Sequence, residues 1–233
     1  SKRRIGGVLD ISLHADYTRK LTTNVDTAAR YYNWLGDYYV TATQGEQTYQ
    51  HAQQRNDAWN ATAGLVWRPA HWHEVSLNHV YSAFRRTSRN YIGATATLTD
   101  YTIPKRSAKH ITGLAWKVMP SARWNATVFA KHYAQSVRGA VSTSTDGVGN
   151  YEDRSHTVRT WGTGAALTWF PLDGLQAKAS YERACRLPTY DELFGDEDLE
   201  AGRTDLRPEH SHNVNLDLAY TRRFGRHTLR TEA

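Results

Sequence analysis

Apolar and polar residues alternate with a period of two along most of the chain, which is the pattern of β-strands whose two faces meet different surroundings. Leu9, Ile11 and Leu13 fall on one face, for example, while Asp10 and Ser12 fall on the other. Nine such segments are predicted, around residues 5–17, 59–68, 74–81, 107–118, 124–131, 161–169, 174–187, 209–222 and 227–233. The chain is therefore expected to be all-β.

The predicted strands are long, and their connections alternate in length. The strands are expected to have about 11 to 15 residues, which is longer than several of the alternating segments themselves, whereas strands of soluble proteins have about 5 or 6. Short connections are expected at 68–73, 118–122, 170–174 and 222–227, and long ones at 20–56, 87–106, 139–154 and 188–210. Short turns at one end and long loops at the other are typical of an antiparallel up-and-down transmembrane β-barrel.

The tryptophans support a membrane barrel. Trp59 and Trp67 share a face eight residues apart, and so do Trp161 and Trp169. Eight residues of a tilted strand rise roughly 20 Å, close to the apolar band of about 25 Å that aromatic girdles border in such barrels. A soluble sandwich with a tryptophan-rich core is the alternative interpretation.

The predicted strands do not close a barrel by themselves. An open strand edge in lipid costs several kcal/mol for each unpaired backbone group, and some large single-chain barrels close with about 22 strands. The chain is therefore expected to supply about nine strands of a larger barrel of roughly 22. Transmembrane helices are excluded, because no apolar run of about 18 residues is present.

Two short motifs lie between the last long strands. The first is Arg-Leu-Pro-Thr-x-x-Glu-Leu-Phe-Gly over residues 186–195, and the second is Leu-Arg-Pro-Glu over residues 206–209. Proline belongs at strand ends, so Pro188 and Pro208 are expected to face each other at one rim, with a turn of helix at 190–193. The pair of motifs resembles the late barrel of TonB-dependent outer-membrane receptors.

This resemblance implies a transporter that takes up a scarce nutrient across the bacterial outer membrane. A ferric siderophore is the first candidate for the cargo, cobalamin is the next, and sugars and peptides stay open. The expected partners are outer-membrane lipid, lipopolysaccharide, the nutrient (such as an iron chelate), and TonB through the missing N-terminal part. Residues 1–233 are expected to be barrel only, with the plug domain outside this chain.

The resemblance also implies that the motif residues pack inward toward the plug. They are Arg186, Leu187, Pro188, Thr189, Glu192, Leu193, Gly195, Leu206, Pro208 and Glu209.

Two other groups are candidates for ligand binding. Arg85, Arg86 and Arg89 follow a predicted strand and are suited to attract an anionic iron chelate or the phosphates of lipopolysaccharide. Aromatic residues crowd the first long loop, where they are suited either to stack on a flat ligand or to pack on one another. These aromatic residues are Tyr31, Tyr32, Trp34, Tyr38 and Tyr39.

Charge and motif content narrow the function further. The net charge is +6, but the basic residues are scattered, which argues against a nucleic-acid groove. His71 with His73 and His210 with His212 offer two ligands each, too few for a metal site. Residues 190–204 lack histidine, whereas haem receptors resembling this family usually carry a haem-ligating histidine there.

No catalytic motif is present, so neither enzyme activity nor a cofactor is expected. Two alternatives to a TonB-dependent transporter stay open: a passive porin without a plug, and a soluble all-β module that binds carbohydrate. The paired motifs argue against the porin, which has no plug for them to meet.

Overall fold

The structure, a computed structural model, describes residues 2–26, 31–32, 35, 38–39, 50–90, 103, 105–142, 151–194, 202–224 and 227–232. Its elements within these residues are twelve strands and a short helix. They are β1 (Lys2–Ile5), β2 (Leu9–Asp26), β3 (Tyr31–Tyr32), β4 (Tyr38–Tyr39), β5 (Gln50–Ala70), β6 (His73–Asn90), β7 (Lys105–Ser121), β8 (Trp124–Ser142), β9 (Tyr151–Leu172), β10 (Leu175–Arg186), α1 (Tyr190–Phe194), β11 (Glu209–Phe224) and β12 (His227–Glu232).

Ten of these strands form one antiparallel sheet, in the order β1-β2-β5-β6-β7-β8-β9-β10-β11-β12. β3 and β4 pair separately as a two-stranded sheet. Neighbours in the ten-stranded sheet are therefore strands that follow one another in sequence once β3 and β4 are set aside. This is the up-and-down arrangement that the alternating pattern predicts, and the described strands leave β1 and β12 at the two edges.

The sheet has one strand more than the sequence pattern predicts, because the expected strand at 5–17 is interrupted. Gly6 and Gly7 have φ angles of 57° and 71°, which glycine adopts readily. Val8 N donates to the Ile5 carbonyl at 3.3 Å and closes the turn. Ile5 then pairs with Leu9 on the same face. The alternation thus continues across the turn and hides it.

Strand register separates two faces of the sheet. Residues directly opposite in an antiparallel pair share a face, and Trp59 opposes Ala83 while Leu77 opposes Leu114. This side of the sheet is called the aromatic face, and the other side is the polar face. Large apolar residues of the aromatic face include Leu13, Trp59, Trp67, Leu77, Leu114, Trp116, Val128, Trp161, Leu167, Trp169, Leu216 and Leu218.

The aromatic face is uncovered in the part of the chain that the structure describes. Leu13 and Trp161 are each 56% exposed, and Leu216 is 77% exposed. A sandwich core would bury such side chains against a second layer. Monomeric soluble proteins rarely expose a continuous apolar surface of this kind, so this geometry argues against the sandwich.

Three of the predicted short connections, at 68–73, 118–122 and 170–174, turn in two residues, which is tighter than predicted. β5 ends at Ala70 and β6 begins at His73, for example. Pro69, Pro120 and Pro171 lie inside strands rather than in the turns, each next to a shift in register at the hairpin end. Proline has no N–H to donate to the ladder, so it is tolerated at such irregular pairs.

The strands also extend further toward the long-connection end than predicted. β5 has 21 residues and β9 has 22, against the expected 11 to 15. The predicted turn of helix at 190–193 is confirmed as α1. Of the helices in the described ranges, none is long and apolar enough to cross a membrane.

Candidate functional site

The segment after β10 folds back onto the polar face of β6 and β8. Leu193 and Phe194 of α1 are 1% and 6% exposed, and they form a buried apolar cluster with Phe84 of β6 and Val137 of β8. Tyr190 stacks on Phe84, with ring centroids 4.3 Å apart. Residues 186–194 are therefore called the docked segment. Their apolar side chains are removed from solvent by contact with the polar face of β6 and β8. The sheet that receives the docked segment is called the wall.

Hydrogen bonds fix the docked segment on the same wall. The Pro188 carbonyl accepts from Lys109 Nζ at 2.5 Å and from Gln135 Nε2 at 3.3 Å. Gln135 is 2% exposed and also donates to Ser107 Oγ. Buried donors need acceptors, and the proline carbonyl serves two of them. The Tyr190 hydroxyl lies 3.0 Å from Ser82 Oγ.

A capping box begins α1. Glu192 N donates to Thr189 Oγ1 at 3.3 Å, and the Glu192 carboxylate accepts from Thr189 N at 2.7 Å. This reciprocal pair satisfies backbone N–H groups that have no partner within the helix. The sequence carries this feature as Thr-x-x-Glu. A five-residue helix has little stability of its own, so the cap and the docking together hold it.

Arg186 connects the docked segment to both adjoining strands. Its guanidinium donates to Glu209 at 2.9 and 3.0 Å and to Glu192 at 2.8 and 3.2 Å. Arg186 and Glu209 are also direct partners in the β10–β11 ladder. The Arg186 guanidinium, followed by the Thr189 N–H, lowers the pKa of Glu192 to about 2. Glu192 is therefore ionised at neutral pH and keeps both contacts.

The returning chain covers the other side of α1. Arg203 N donates to the Glu192 carbonyl at 3.0 Å, and Leu206 packs against the apolar cluster. Gly139 of β8 lies directly beneath, where a Cβ would come within 2.9 Å of the Phe194 ring. Glycine at 139 thus allows the close approach of Phe194 to the sheet.

The docked segment is not itself a pocket for a chelate. The cleft beside it, lined by Arg186, Pro188, Glu192 and Glu209, has a volume of about 120 Å³. Ligand pockets usually have about 300 to 1,000 Å³. The arrangement therefore suits a structural or positioning role at the inner wall.

The structure brings most of the predicted motif residues together. Leu187 is 8% exposed, and Pro188 is buried as well. Gly195 lies outside the described residues, and Pro208 is half-buried before β11. The motif residues with contacts given above or in the apolar cluster are Arg186, Pro188, Thr189, Glu192, Leu193, Leu206 and Glu209. They pack on the polar face of the sheet, and their inward orientation toward a plug stays a prediction.

The three predicted arginines do not act as one group. Arg86 is 7% exposed on the polar face, where Nε donates to Asn56 at 3.1 Å. Arg85 and Arg89 alternate with Arg86 along β6, so they belong to the opposite face. Arg85 and Arg89 are exposed.

The predicted aromatic loop is described only in part. Tyr31 pairs with Tyr39, and Tyr32 pairs with Tyr38, across β3 and β4. Trp34 and the side chains of these tyrosines lie outside the described residues. Their role as ligand contacts stays a prediction.

The histidine pairs make hydrogen bonds with neighbouring strands. Trp116 Nε1 donates to His73 Nδ1 at 3.2 Å, and His212 Nδ1 lies 2.8 Å from the Tyr181 hydroxyl. Across the described ranges, no three His, Cys, Asp or Glu residues are placed to hold a metal ion.

Charged residues of the polar face pair with one another across strands. Lys131 Nζ lies 2.8 Å from Glu182, and Lys178 Nζ lies 3.3 Å from Asp217. Asp10 pairs with both Arg4 and Arg68. The polar face therefore offers a wall of largely compensated charge.

Sequence reasoning missed the wall residues that receive the docked segment. They are Ser82, Phe84, Lys109, Gln135, Val137 and Gly139. Phe84 and Val137 did carry a signal, because each is a large apolar residue at a polar-face position of its strand. The sequence alone does not indicate that Phe84 and Val137 contact a segment that lies about fifty residues or more further along the chain.

Comparisons with known proteins agree with this geometry. The wall is that of an antiparallel up-and-down β-barrel, and residues 9–231 match the family model described as TonB dependent receptor-like, beta-barrel. The chain belongs to this family of TonB-dependent receptors, as part of the barrel. A search of curated proteins finds no match.

One solved structure shows the same fold. The chain is similar to a double mutant of the Serratia marcescens hemophore receptor HasR in complex with its hemophore HasA and heme, with a TM-score of 0.51 and 10% identity. The match covers 94% of this chain and 38% of that receptor chain. The chain thus spans well under half of the receptor, and at this identity the likeness concerns the fold alone.

Proposed function

We propose that this chain is part of the barrel wall of an outer-membrane receptor that imports a scarce nutrient with energy supplied through TonB. Family membership over residues 9–231 supports this proposal. The observation that carries it is the opposite character of the two faces of one sheet. The aromatic face is bare and apolar, whereas the polar face holds paired charges and the docked segment.

The two faces have separate tasks in this proposal. The aromatic face contacts hydrocarbon, with Trp59 and Trp161 near one boundary and Trp67 and Trp169 near the other. The polar face lines the lumen and holds the plug by polar contacts. In a transmembrane barrel these environments alternate along each strand, as they do here.

The docked segment positions the rim of the lumen. It ties β10 and β11 to the wall at β6, β7 and β8 through Arg186, Pro188 and the apolar cluster. Cargo binds to the external loops and to the plug, and TonB then drives rearrangement of the plug. The wall performs no bond chemistry. Its contribution is a surface that keeps its shape while the plug changes.

A ferric siderophore is the first candidate for the cargo. The chain is basic, with a net charge of +6, which favours approach of an anionic chelate. The HasR receptor forms a complex with its hemophore and heme, but residues 190–204 of this chain contain no histidine to ligate heme. Cobalamin and other nutrients of the family are the alternatives.

Uptake by cells that produce the full receptor tests the proposal. A deletion strain would be complemented with the receptor, with and without functional TonB, and given labelled ferric siderophores, cobalamin or heme. We expect accumulation of one iron chelate, dependent on both the receptor and TonB. A passive porin would give uptake without TonB. A protein that is released without detergent would instead indicate the soluble carbohydrate-binding module.

A further inference from the structure

Strand register aligns charged residues in a single row across the aromatic face. Each member lies directly opposite the next on the neighbouring strand. From β2 to β8 the row is Arg19, Asp57, Arg85, Arg106 and Arg138, and on β9 it meets the uncharged Ser155. Asp57 is two residues from Trp59, so on β5 the row lies just beyond the tryptophan, toward the long connections.

The acidic residues near this row are already engaged. Asp57 accepts hydrogen bonds from Arg19 at 2.7 Å and from Arg55 at 2.9 Å, and also from the Tyr17 hydroxyl. Asp153 forms a two-pronged ion pair with Arg138, with Nε 3.0 Å from both carboxylate oxygens. The hydrogen bonds of both carboxylates therefore go to other arginines, although the Asp153 charge also acts on Arg106.

Arg85 and Arg106 lie side by side on neighbouring strands. They are direct partners in the β6–β7 ladder, and both are exposed. Among the residues that the structure describes, neither makes an ion pair. Like charges directly opposite one another destabilise a β-ladder. An anion placed between the two guanidinium groups would remove that repulsion, and paired guanidinium forks match phosphate geometry.

The surface beside the arginines is apolar. A groove of about 480 Å³ is lined by Arg85, Arg106, Arg138 and the hydrogen-bonded Asp57, together with Trp59, Tyr81 and Ala108. The groove thus combines cationic and apolar parts on the face that the proposed function turns toward lipid. A nutrient chelate on its way through the lumen would not meet this face.

We propose that Arg85 and Arg106, flanked by Arg138, bind the phosphate groups of a phosphorylated glycolipid, the lipopolysaccharide of the outer leaflet. The phosphates lie between the guanidinium groups, and the acyl chains lie along the aromatic face below. This inference rests on the proposed membrane location, but not on the identity of the cargo or on TonB.

Lipid binding by the purified full-length receptor tests this site. The receptor would be delipidated in mild detergent and titrated with lipid A, with dephosphorylated lipid A and with inorganic phosphate, and bound lipid would be counted by native mass spectrometry. For the double variant Arg85→Gln/Arg106→Gln we expect affinity for lipid A to fall by at least about tenfold. Arg85→Lys/Arg106→Lys should retain part of the affinity, because charge remains while the fork is lost.

The matched control is Arg3→Gln/Arg123→Gln, which removes two charges near the short turns. Both residues are exposed, and this variant should bind lipid A as the wild type does. Equal losses in both double variants would reduce the effect to net charge and overturn the site. If dephosphorylated lipid A or inorganic phosphate binds as tightly as lipid A, the glycolipid assignment is overturned.

Uptake measured on the same proteins separates this inference from the proposed function. Wild-type receptor that binds lipid A but imports no nutrient would contradict the transport proposal alone. Wild-type receptor that imports a nutrient but shows no preference for phosphorylated lipid would contradict the arginine site alone. The shift of folded receptor on an unheated gel would verify that each variant is folded.

Discussion

Phe194 covers Gly139 so closely that a Cβ at position 139 would lie 2.9 Å from the Phe194 ring. The Gly139→Val substitution should therefore push α1 off the wall while the barrel still folds. Overpacking of this kind costs about 1–3 kcal/mol. We expect faster trypsin cleavage after Arg203 and reduced nutrient uptake, measured on folded receptor.

Gly113→Ala is the matched control for this substitution. Gly113 also lies on the polar face, but a Cβ there would meet Lys131 Cγ at 3.7 Å, an ordinary contact. Cleavage and uptake should stay at wild-type levels. If Gly139→Val behaves like Gly113→Ala, the close packing of Phe194 on β8 is wrong.

The two side chains that donate to the Pro188 carbonyl should be energetically coupled. Lys109→Met and Gln135→Leu each leave one hydrogen bond to this oxygen, whereas the double variant leaves none. An unsatisfied buried acceptor costs about 1–3 kcal/mol. We expect the double variant to release the docked segment by more than the sum of the single effects.

Spin-label distances between α1 and β8 would give the fraction of molecules in which α1 is docked, for the wild type, the two single variants and the double variant. Strict additivity would show that the two donors do not share one acceptor. Ser121→Ala, at the end of β7 beside the turn to β8, is a control that should change nothing at α1.

Docking should weaken in acid because of Glu192. The pKa of Glu192 is lowered from 4.5 to about 2, first by Arg186 and then by the Thr189 N–H. A lowered pKa contributes stability that is complete above the unfolded value and is lost as pH falls through the folded value. The docked fraction should thus hold from neutral pH to about 5 and fall between about 4.5 and 2.

Glu192→Gln should remove this particular acid transition and loosen α1 at neutral pH as well. The same spin-label distances measured from pH 7 to pH 2 would check both effects. Glu152→Gln, which breaks an exposed ion pair with Arg154, is the control. A transition that persists unchanged in Glu192→Gln would assign the pH dependence to another group.

Leu13 tests the membrane assignment of the aromatic face. Leu13 is 56% exposed there, and Arg at the middle of a lipid face costs about 2–4 kcal/mol. Leu13→Arg should therefore lower the free energy of unfolding of the receptor in lipid vesicles, measured by urea titration. His14→Arg, one residue along β2 and on the polar face, should be nearly neutral. Equal effects of the two substitutions would mean that the faces are assigned wrongly.

The sequence predicted the parts of the fold that alternation controls. Where one face is apolar, as around Trp59 and Trp67, strands and faces followed directly. Beyond that band β5 extends over residues 50–56, where both faces are largely polar and alternation carries little information. On β2 the prediction ended at residue 17, although Leu21 and Val25 continue the apolar side. The Gly6–Gly7 turn was missed because Ile5 and Leu9 keep the same parity on either side of it.

Only one side of the candidate site, the segment that carries the motifs, was predicted from the sequence. The motifs at 186–195 and 206–209 led to the proline-bounded loop and to the turn of helix at 190–193, whereas the cap of α1 that Thr-x-x-Glu encodes was not predicted. Their receiving wall was not predicted, because Phe84 and Val137 come near the docked segment only when strand register is known. Pairing in space of residues far apart in sequence is the information that one sequence lacks.

The strands extend much further beyond the tryptophans at the long-connection end than at the short-connection end. On β9 only three residues follow Trp169, whereas residues 151–160 precede Trp161. Those residues rise about 25 Å if the strand keeps its tilt. In the proposed membrane orientation, a collar of hydrogen-bonded backbone therefore extends beyond the tryptophans on the side of the long connections. An antibody against residues 152–159 should accordingly label intact cells, while the hairpin tip at Asp173 and Gly174 becomes accessible only after the envelope is opened.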